Sequence, residues 1–243
     1  MTMRLLLGSG GFRTPERIDF LSGLMRQFFG PIQRILFVPF ALQDHDRYVQ
    51  IVTEKGIHAG YELDAIHRHA NPRAAIEQSE AIFIGGGNTF RFLNELYRRD
   101  LLEIVRDRVR ASLPYLGISA GTNVACPTIM TTNDMPIVQP PSFAALGLVP
   151  FQINPHYFTG PIHVSTDGGY VEHFGETRDE RIREFHELND VPVVGLWEAG
   201  VLRFQGGNWE LLSAPARLFR KGGEPVDIEA GGALDQLLKS GAG

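Results

Sequence analysis

Ser119 is the residue whose surroundings most clearly suggest chemistry. It follows an apolar run and lies in Gly117-Ile118-Ser119-Ala120-Gly121, which matches the pattern G-x-S-x-G. This pattern is typical of a sharp turn between a buried strand and a helix, where a serine hydroxyl is exposed as a nucleophile. Glycine on both sides lets neighbouring backbones pass close together. The pentapeptide is also typical of a plain strand-to-helix turn. Whether Ser119 is a nucleophile therefore depends on whether the chain supplies a base and an acid for it.

A serine nucleophile needs a base within hydrogen-bond distance, and His156 is the best candidate. It ends an apolar run and follows Asn154-Pro155, whose rigid proline directs the ring toward the carboxyl edge of a sheet. A purely structural histidine is the alternative. The other seven histidines lie in charged helices or loops, where solvated side chains are expected: His45, His58, His67, His69, His163, His173 and His186.

Two acids compete to orient this base. Asp134 lies in the otherwise uncharged stretch 131–138, where an Asx turn before Pro136 is the alternative reading. Glu198 ends an apolar strand pattern, where a glutamate at a hairpin edge is the alternative. With Glu198 the triad residues follow one another along the chain as Ser, His and Glu, and with Asp134 as Ser, Asp and His. A triad is defined by its geometry and not by this order, so the sequence leaves both acids open.

Backbone amides near the serine could hold an oxyanion. The amide of Ala120 opens the helix after Ser119, and Gly87 ends a run of three glycines after another strand. No lysine follows these glycines as in a P-loop, which argues against nucleotide binding. The histidines also lack H-E-x-x-H spacing, so neither a metal nor another cofactor is expected.

Alternating strand and helix patterns predict an α/β fold, with a mostly parallel sheet and helices on both faces. The two glycine-rich turns follow strands joined by one helical crossover, so they should lie side by side at the carboxyl edge. The predicted strands are 5–8, 35–40, 61–67, 81–84 and 115–118, and the predicted helices are 15–29, 44–55, 72–78, 90–99 and 101–111.

The pattern changes after the turn at Ser119. Residues 131–138 and 151–156 resemble short strands, and 160–175 is a long helix-poor loop typical of a lid or an insertion. A helix is predicted at 177–188. Strands at 193–198, 201–205, 209–213 and 217–220 are expected to close the sheet as antiparallel hairpins. A last, frayed helix is predicted at 234–239, and residues 240–243 are expected to be a mobile end.

Composition narrows the class of protein. The 243 residues favour one domain spanning 1–243, with about 232–243 as a tail that could form a homodimer contact. A net charge of −5 and dispersed basic residues argue against nucleic acid and favour a small-molecule substrate. One cysteine allows no intrachain disulfide, and no segment resembles a signal peptide or a membrane span. A cytoplasmic protein is expected.

Several stretches, in order along the chain, resemble the peptidase E family of serine peptidases. Two of them, Cys-Pro-Thr-Ile at 126–129 and Thr-Thr-Asn-Asp-Met-Pro-Ile-Val at 131–138, have no simple chemical meaning, which makes their joint match specific. The others are Gly-Gly-Gly-Asn-Thr-Phe at 85–90, Gly-Ile-Ser-Ala-Gly-Thr-Asn at 117–123, Gln-Ile-Asn-Pro-His at 152–156 and Gly-Glu-Thr-Arg at 175–178.

The resemblance implies a flavodoxin-like sheet related to class I glutamine amidotransferases. It also implies hydrolysis of dipeptides with an N-terminal aspartate, with Ser119 as nucleophile and His156 as base. Either acid could complete the triad, with a slight preference for Glu198. Arg178 would bind the substrate's β-carboxylate, because an aspartate pocket needs a bidentate cation, and Asn88 would also contact substrate. The alternative for Arg178 is pairing with the acids of its own charged helix.

This chain departs from the family pattern in two places. Ile118 stands where the family has an aromatic residue, and 157–174 is longer. The loop 157–174 borders the expected substrate site, so the closure of the pocket and the strictness of aspartate preference stay open. Two other functions remain: a cyanophycinase-like peptidase acting on β-aspartyl-arginine, and a binding relative of the fold that has lost catalysis.

Overall fold

The structure is a computed structural model that describes residues 2–232 and 234–239. The helices are α1 (Pro15–Phe29), α2 (His45–Glu54), α3 (Pro72–Gln78), α4 (Thr89–Arg98), α5 (Leu102–Arg110), α6 (Ala120–Ala125), α7 (Arg178–Leu188) and α8 (Leu234–Lys239). The strands are β1 (Leu5–Gly8), β2 (Arg34–Val38), β3 (Glu62–Ala65), β4 (Ile82–Ile84), β5 (Tyr115–Ile118), β6 (Gln152–Tyr157), β7 (Ile162–Thr166), β8 (Gly169–His173), β9 (Val193–Trp197), β10 (Val201–Gln205), β11 (Asn208–Ser213), β12 (Ala216–Phe219) and β13 (Val226–Ile228).

A mostly parallel, seven-stranded sheet forms the centre, in the order β11-β10-β1-β5-β4-β2-β3. Its central strands β1, β2, β4 and β5 are apolar on both faces, as expected for strands buried between helices. In β2, for example, Ile35 and Phe37 pack in the same apolar cluster as residues of α1 and α2. Leu36 and Val38 point the other way and pack in the cluster that holds residues of α3 to α6. The predicted α/β architecture with helices on both faces is confirmed.

The C-terminal strands are divided between two sheets, whereas the sequence predicted that they all close one sheet. The hairpin β10–β11 does extend the main sheet, because β10 pairs antiparallel with β1. The other strands form a four-stranded sheet in the order β13-β12-β9-β6, in which β6 and β9 are parallel. This second sheet matters for function because His156 lies on β6 and Glu198 directly follows β9.

Two segments differ from their predicted structure. Residues 131–138 form no strand, and the Thr132 hydroxyl there accepts from the Asp134 N–H at 3.2 Å, a local bond that competes with a ladder. Residues 160–175 are not a plain loop: β7 and β8 pair as an antiparallel hairpin, with Gly169 at φ +113° beside the turn. The hairpin side chains are largely exposed.

Smaller differences occur at element ends. The third strand is shorter than predicted and passes into a 3-10 turn at Ile66–Arg68. The predicted tail includes a packed helix, since Leu234 of α8 is buried and the Asp235 carboxylate accepts from the Trp209 N–H at 3.2 Å. The predicted mobile end, 240–243, lies outside the described residues. Within those residues, no helix has the length and apolar character needed to cross a bilayer.

Candidate active site

The turn at Ser119 is sterically tight, as the pentapeptide predicts. Ser119 has φ +53° and ψ −104°, between the end of β5 and the start of α6. A Cβ at Gly117 would lie 2.5 Å from the carbonyl oxygen of Gly121, and a Cβ at Gly121 would lie 2.3 Å from that of Ile84. Any side chain at either glycine would therefore separate the helix from the sheet.

Ser119, His156 and Glu198 form a continuous hydrogen-bonded chain. Ser119 Oγ lies 2.8 Å from His156 Nε2, and His156 Nδ1 lies 2.8 Å from Glu198 Oε1. These are the distances at which a base can take the serine proton while a carboxylate orients the ring. The imidazole and the carboxylate are both partly exposed, so water reaches this site.

A bulge in β6 presents the imidazole of His156. The register between β6 and β9 shifts between Pro155 and Tyr157, so His156 is left out of the ladder, with φ +55°. Its N–H donates to Ser9 Oγ at 2.8 Å, and the Ser9 hydroxyl donates to the carbonyl of Leu196 at 2.9 Å. Ser9 thus ties the strand that carries His156 to the end of β1.

The glycines after β1 bring the backbone against the base and its acid. A Cβ at Gly10 would lie 2.4 Å from His156 Cε1, and one at Gly11 would lie 2.4 Å from Glu198 Oε2. The N–H of Ala199 also donates to the Gly10 carbonyl at 2.8 Å. Residues 8–11 have no role in the site predicted from the sequence. The available signal was that they too form a glycine-rich end of a parallel strand.

Asp134 lies elsewhere, at the N-terminus of α4. Its Oδ2 accepts from the Thr89 N–H at 2.8 Å, from Thr89 Oγ1 at 2.6 Å and from Thr132 Oγ1 at 3.1 Å. A carboxylate is stabilised there by the unpaired amides and the dipole of the helix. Of the two acids left open by the sequence, Glu198 is the one that contacts His156.

The glycine loop after β4 packs against the serine, as expected for neighbouring strand ends. A Cβ at Gly86 would lie 3.2 Å from Ser119 Cβ, and Gly87 has φ +135° with the carbonyl of Ala41 only 2.7 Å from its Cβ position. Ala120 is the first residue of α6, so its N–H has no partner one turn earlier within that helix. Both predicted oxyanion donors therefore lie on segments next to Ser119.

Asn88 has a structural role that the sequence prediction did not include. Its Oδ1 accepts from the Arg91 N–H at 3.0 Å and caps α4. Its Nδ2 donates to the carbonyl of Met135 at 2.9 Å. These bonds connect α4 with the segment 131–138, and contact of Asn88 with substrate stays a prediction.

Arg178 begins α7 after the capping box formed by Thr177 and Glu180. Its Nη1 donates to Asn133 Oδ1 at 2.6 Å, and its guanidinium lies 5.5 Å from the centre of the Phe158 ring. Burial, followed by the nearby charge of Arg181, lowers the pKa of Arg178.

Within the described part of the chain, Arg178 pairs with no carboxylate and its Nε has no hydrogen-bond partner. The alternative reading, pairing with acids of its own helix, is therefore wrong. Asp179 instead pairs with Arg217, and Glu180 bonds to Thr177. A half-buried guanidinium without a counterion is suited to bind an anion.

Asn133 is a second site residue that sequence reasoning missed. Its Oδ1 accepts from Arg178 and also from Asn154 Nδ2 at 2.9 Å, while its Nδ2 donates to the carbonyl of Pro155 at 2.6 Å. Asn133 therefore links the arginine to the strand that carries His156. No local sequence signal separates this asparagine from an ordinary turn residue.

Comparison with known proteins identifies the family. The model of Peptidase family S51 matches residues 4–212. A protein named "Peptidase E" from Streptomyces coelicolor is 50% identical over 206 residues, which cover 84% of this chain and 82% of that protein. A Drosophila melanogaster protein named "Probable alpha-aspartyl dipeptidase" is 42% identical over 239 residues, 97% of each chain.

A solved structure supports the fold. The crystal structure of a peptidase from an acI-B1 Actinobacterium superposes with a TM-score of 0.68 and covers 97% of each chain, at 16% sequence identity. At that identity the similarity concerns architecture alone. The family expected from the sequence motifs is confirmed by the family model and the relatives, and the chain belongs to peptidase family S51 and is a hydrolase.

Proposed function

We propose that this protein is a serine dipeptidase that hydrolyses dipeptides with an N-terminal aspartate. The observation that carries the proposal is the chain of two 2.8 Å contacts from Ser119 through His156 to Glu198. A serine on a strained strand-to-helix turn, beside a base held by a carboxylate, is the arrangement of a nucleophile rather than of a structural turn.

Each residue has a defined task in the proposed reaction. His156 Nε2 takes the proton of Ser119 Oγ as the serine attacks the carbonyl carbon of the aspartyl residue. The Glu198 carboxylate holds the ring through Nδ1 and stabilises the imidazolium that forms. The N–H groups of Ala120 and Gly87 hold the oxyanion.

The intermediate then breaks down in two stages. His156 gives its proton to the leaving amine, which departs and leaves an aspartyl ester on Ser119. Water attacks this ester, with His156 taking a proton from the water and returning one to the serine oxygen. The products are free aspartate and the second amino acid.

Preference for aspartate rests on Arg178. Its guanidinium is half-buried and free of acidic partners in the described structure, and Asn133 orients it. A substrate β-carboxylate would supply the missing counterion through a bidentate pair. The name of the Drosophila relative, "Probable alpha-aspartyl dipeptidase", supports the same substrate class for this chain.

The assay is release of p-nitroaniline from aspartyl p-nitroanilide by wild-type protein and by the variants Ser119→Ala and Arg178→Ala. The serine variant is expected to be inactive. Arg178→Ala is expected to lower kcat/KM on the aspartyl substrate by about 100-fold more than on a leucyl substrate. Equal rates for wild type and Ser119→Ala would refute the serine mechanism, and hydrolysis of β-aspartyl-arginine alone would favour the cyanophycinase-like alternative.

We also propose that the chain is a single peptidase domain of flavodoxin-like, class I glutamine amidotransferase-like type. The spatial order β3-β2-β4-β5 supports this. When β2 is counted as the first strand, these four parallel strands have the order 2-1-3-4, which is the beginning of the flavodoxin order 2-1-3-4-5. Here β1 occupies the fifth position. A stable fragment obtained by limited proteolysis that lacks either sheet would argue against one domain.

A further inference from the structure

A cavity of about 310 Å³ opens beside Ser119 and His156, and no step of the proposed reaction uses it. Ser119 and His156 both line it, so the cavity is continuous with the reacting atoms. Most of its wall is apolar, formed by Phe12, Leu21, Ile51, Val52, Phe83 and Ile118.

One face of α2 and the loop after β1 form part of this wall, and α1, β4 and β5 supply Leu21, Phe83 and Ile118. Tyr48, Ile51, Val52 and Lys55 are spaced three, four and seven residues apart, which places them on one side of a helix. Tyr48 fixes the inner end of this face, because its hydroxyl donates to the carbonyl of Gly86 at 2.8 Å.

The charge of the cavity is one-sided. Arg13 and Lys55 line it, whereas no aspartate or glutamate does among the described residues. Both side chains are exposed, and neither forms an ion pair within the part of the chain that the structure describes. An apolar cavity bordered by two cations favours a ligand with an apolar body and a negative charge.

The cavity is separate from the expected aspartate pocket. Arg178 does not line it and is held instead against Asn133 and Phe158, near the C-terminal end of β6. If Arg178 takes the aspartyl side chain, the part of the substrate beyond the scissile bond must occupy another space next to Ser119. The cavity is a space next to Ser119 that Arg13 and Lys55 also line.

We propose that this cavity binds the leaving residue of the dipeptide, with its side chain against the apolar wall and its α-carboxylate on Arg13. This inference rests on the proposed function and adds the second half of the substrate. Gly10 abuts the His156 ring, and Arg13 follows three residues later on the same loop. The carboxylate of a dipeptide lies only two bonds beyond the scissile nitrogen, within reach of an arginine anchored there.

Two specificities follow. A free carboxylate at the second residue is recognised, so dipeptides are better substrates than their amides or longer peptides. An apolar second residue is preferred over a cationic one, because Arg13 and Lys55 repel a positive side chain and burial of an apolar side chain against the wall is favourable.

The test compares kcat/KM for Asp-Leu, Asp-Leu-amide and Asp-Lys. In wild type, Asp-Leu is expected to exceed Asp-Leu-amide and Asp-Lys by about ten-fold each. In Arg13→Gln the ratio of Asp-Leu to its amide should fall to about one. Ile51→Glu, which adds a carboxylate to the cavity face, should shift the preference toward Asp-Lys. Arg73→Gln, on the remote helix α3, is the matched control and should keep both wild-type ratios.

Failure of this inference differs from failure of the proposed function. If wild type hydrolyses aspartyl p-nitroanilide but shows equal kcat/KM for Asp-Leu and Asp-Leu-amide, the leaving-residue site is refuted and the peptidase assignment stands. The same conclusion follows if Arg13→Gln lowers kcat/KM for Asp-Leu and for Asp-Leu-amide by the same factor. If wild type hydrolyses no aspartyl compound, both proposals are overturned.

Discussion

Glu198→Gln removes the negative charge opposite the His156 ring while keeping the size of the side chain. In the structure, Glu198 Oε1 lies 2.8 Å from His156 Nδ1. The exposed fractions of the His156 and Glu198 side chains are 39% and 48%, so water screens the pair. For unit charges about 4 Å apart, an effective dielectric of about 40 gives an interaction of roughly 2 kcal/mol with the imidazolium.

This interaction grows as the reaction proceeds, because His156 becomes charged only when it takes the serine proton. Its loss should therefore lower kcat by about 30-fold, since 2 kcal/mol is roughly that factor in rate. KM should change little, because Glu198 touches the base and not the substrate. The loss should be far smaller than the roughly 10⁴-fold measured where the acid of a serine triad is buried.

The assay is steady-state hydrolysis of aspartyl p-nitroanilide, with thermal unfolding measured on the same samples. Glu210→Gln is a matched control, because that glutamate is also 48% exposed and ion-paired, with Arg203 on the neighbouring strand. Asp134→Asn provides the second comparison. It should lower stability by about 0.5–1 kcal/mol through the N-terminus of α4, with little effect on kcat.

Two results would refute this reasoning about the acid. One is a kcat for Glu198→Gln within two-fold of wild type. The other is a large fall in kcat for Asp134→Asn with an unchanged melting temperature, which would make Asp134 the functional acid despite its distance from the ring.

Three further predictions concern the frame around the site. Gly121→Ala should cost at least about 2 kcal/mol in urea unfolding, because its Cβ would lie 2.3 Å from the Ile84 carbonyl oxygen; a wild-type midpoint would contradict this. Cys126 should not react with a thiol reagent at pH 8 until the protein is unfolded, because burial raises its pKa to about 12; rapid labelling of native protein would show the burial to be wrong. Tyr48→Phe should cost about 1 kcal/mol, since the carbonyl of Gly86 loses its donor, and unchanged stability would mean that water replaces the hydroxyl.

Local sterics explain what the sequence could predict about the site. The turn at Ser119 depends on Gly117 and Gly121, two positions away on either side. Both must be glycine because a Cβ at either position would overlap a backbone oxygen. The pairing of β4 with β5 follows from the handedness of crossover connections. The strand that carries His156 was also recognisable, as the short strand-like run 151–156 that ends in polar residues.

The remaining features depend on contacts distant in the chain. The choice between Asp134 and Glu198 is determined by the parallel register of β6 on β9, which periodicity does not encode. Asn133 acquires its role only when α7 brings Arg178 beside it. The C-terminal strands all have similar short apolar patterns in the sequence. Their division between two sheets therefore depends on which sheet edge each strand pairs with in the folded chain.

The three groups of the proposed triad come from two different sheets, and this arrangement explains the role of the loop after β1. Ser119 follows a strand of the main sheet, while His156 lies on β6 and Glu198 directly follows β9, two strands of the second sheet. The loop joins the two sheets through two hydrogen bonds: the His156 N–H donates to Ser9 Oγ, and the Ala199 N–H donates to the Gly10 carbonyl.

Ser119, His156 and Ala199 all have positive φ, at a cost of roughly 1–3 kcal/mol each, which persists only where the surroundings determine the backbone firmly. The loop after β1 supplies that constraint for His156 and Ala199, and the glycines around Ser119 supply it for the nucleophile. The alignment of serine, base and acid is therefore built into the backbone of the folded chain, so substrate binding need not assemble it.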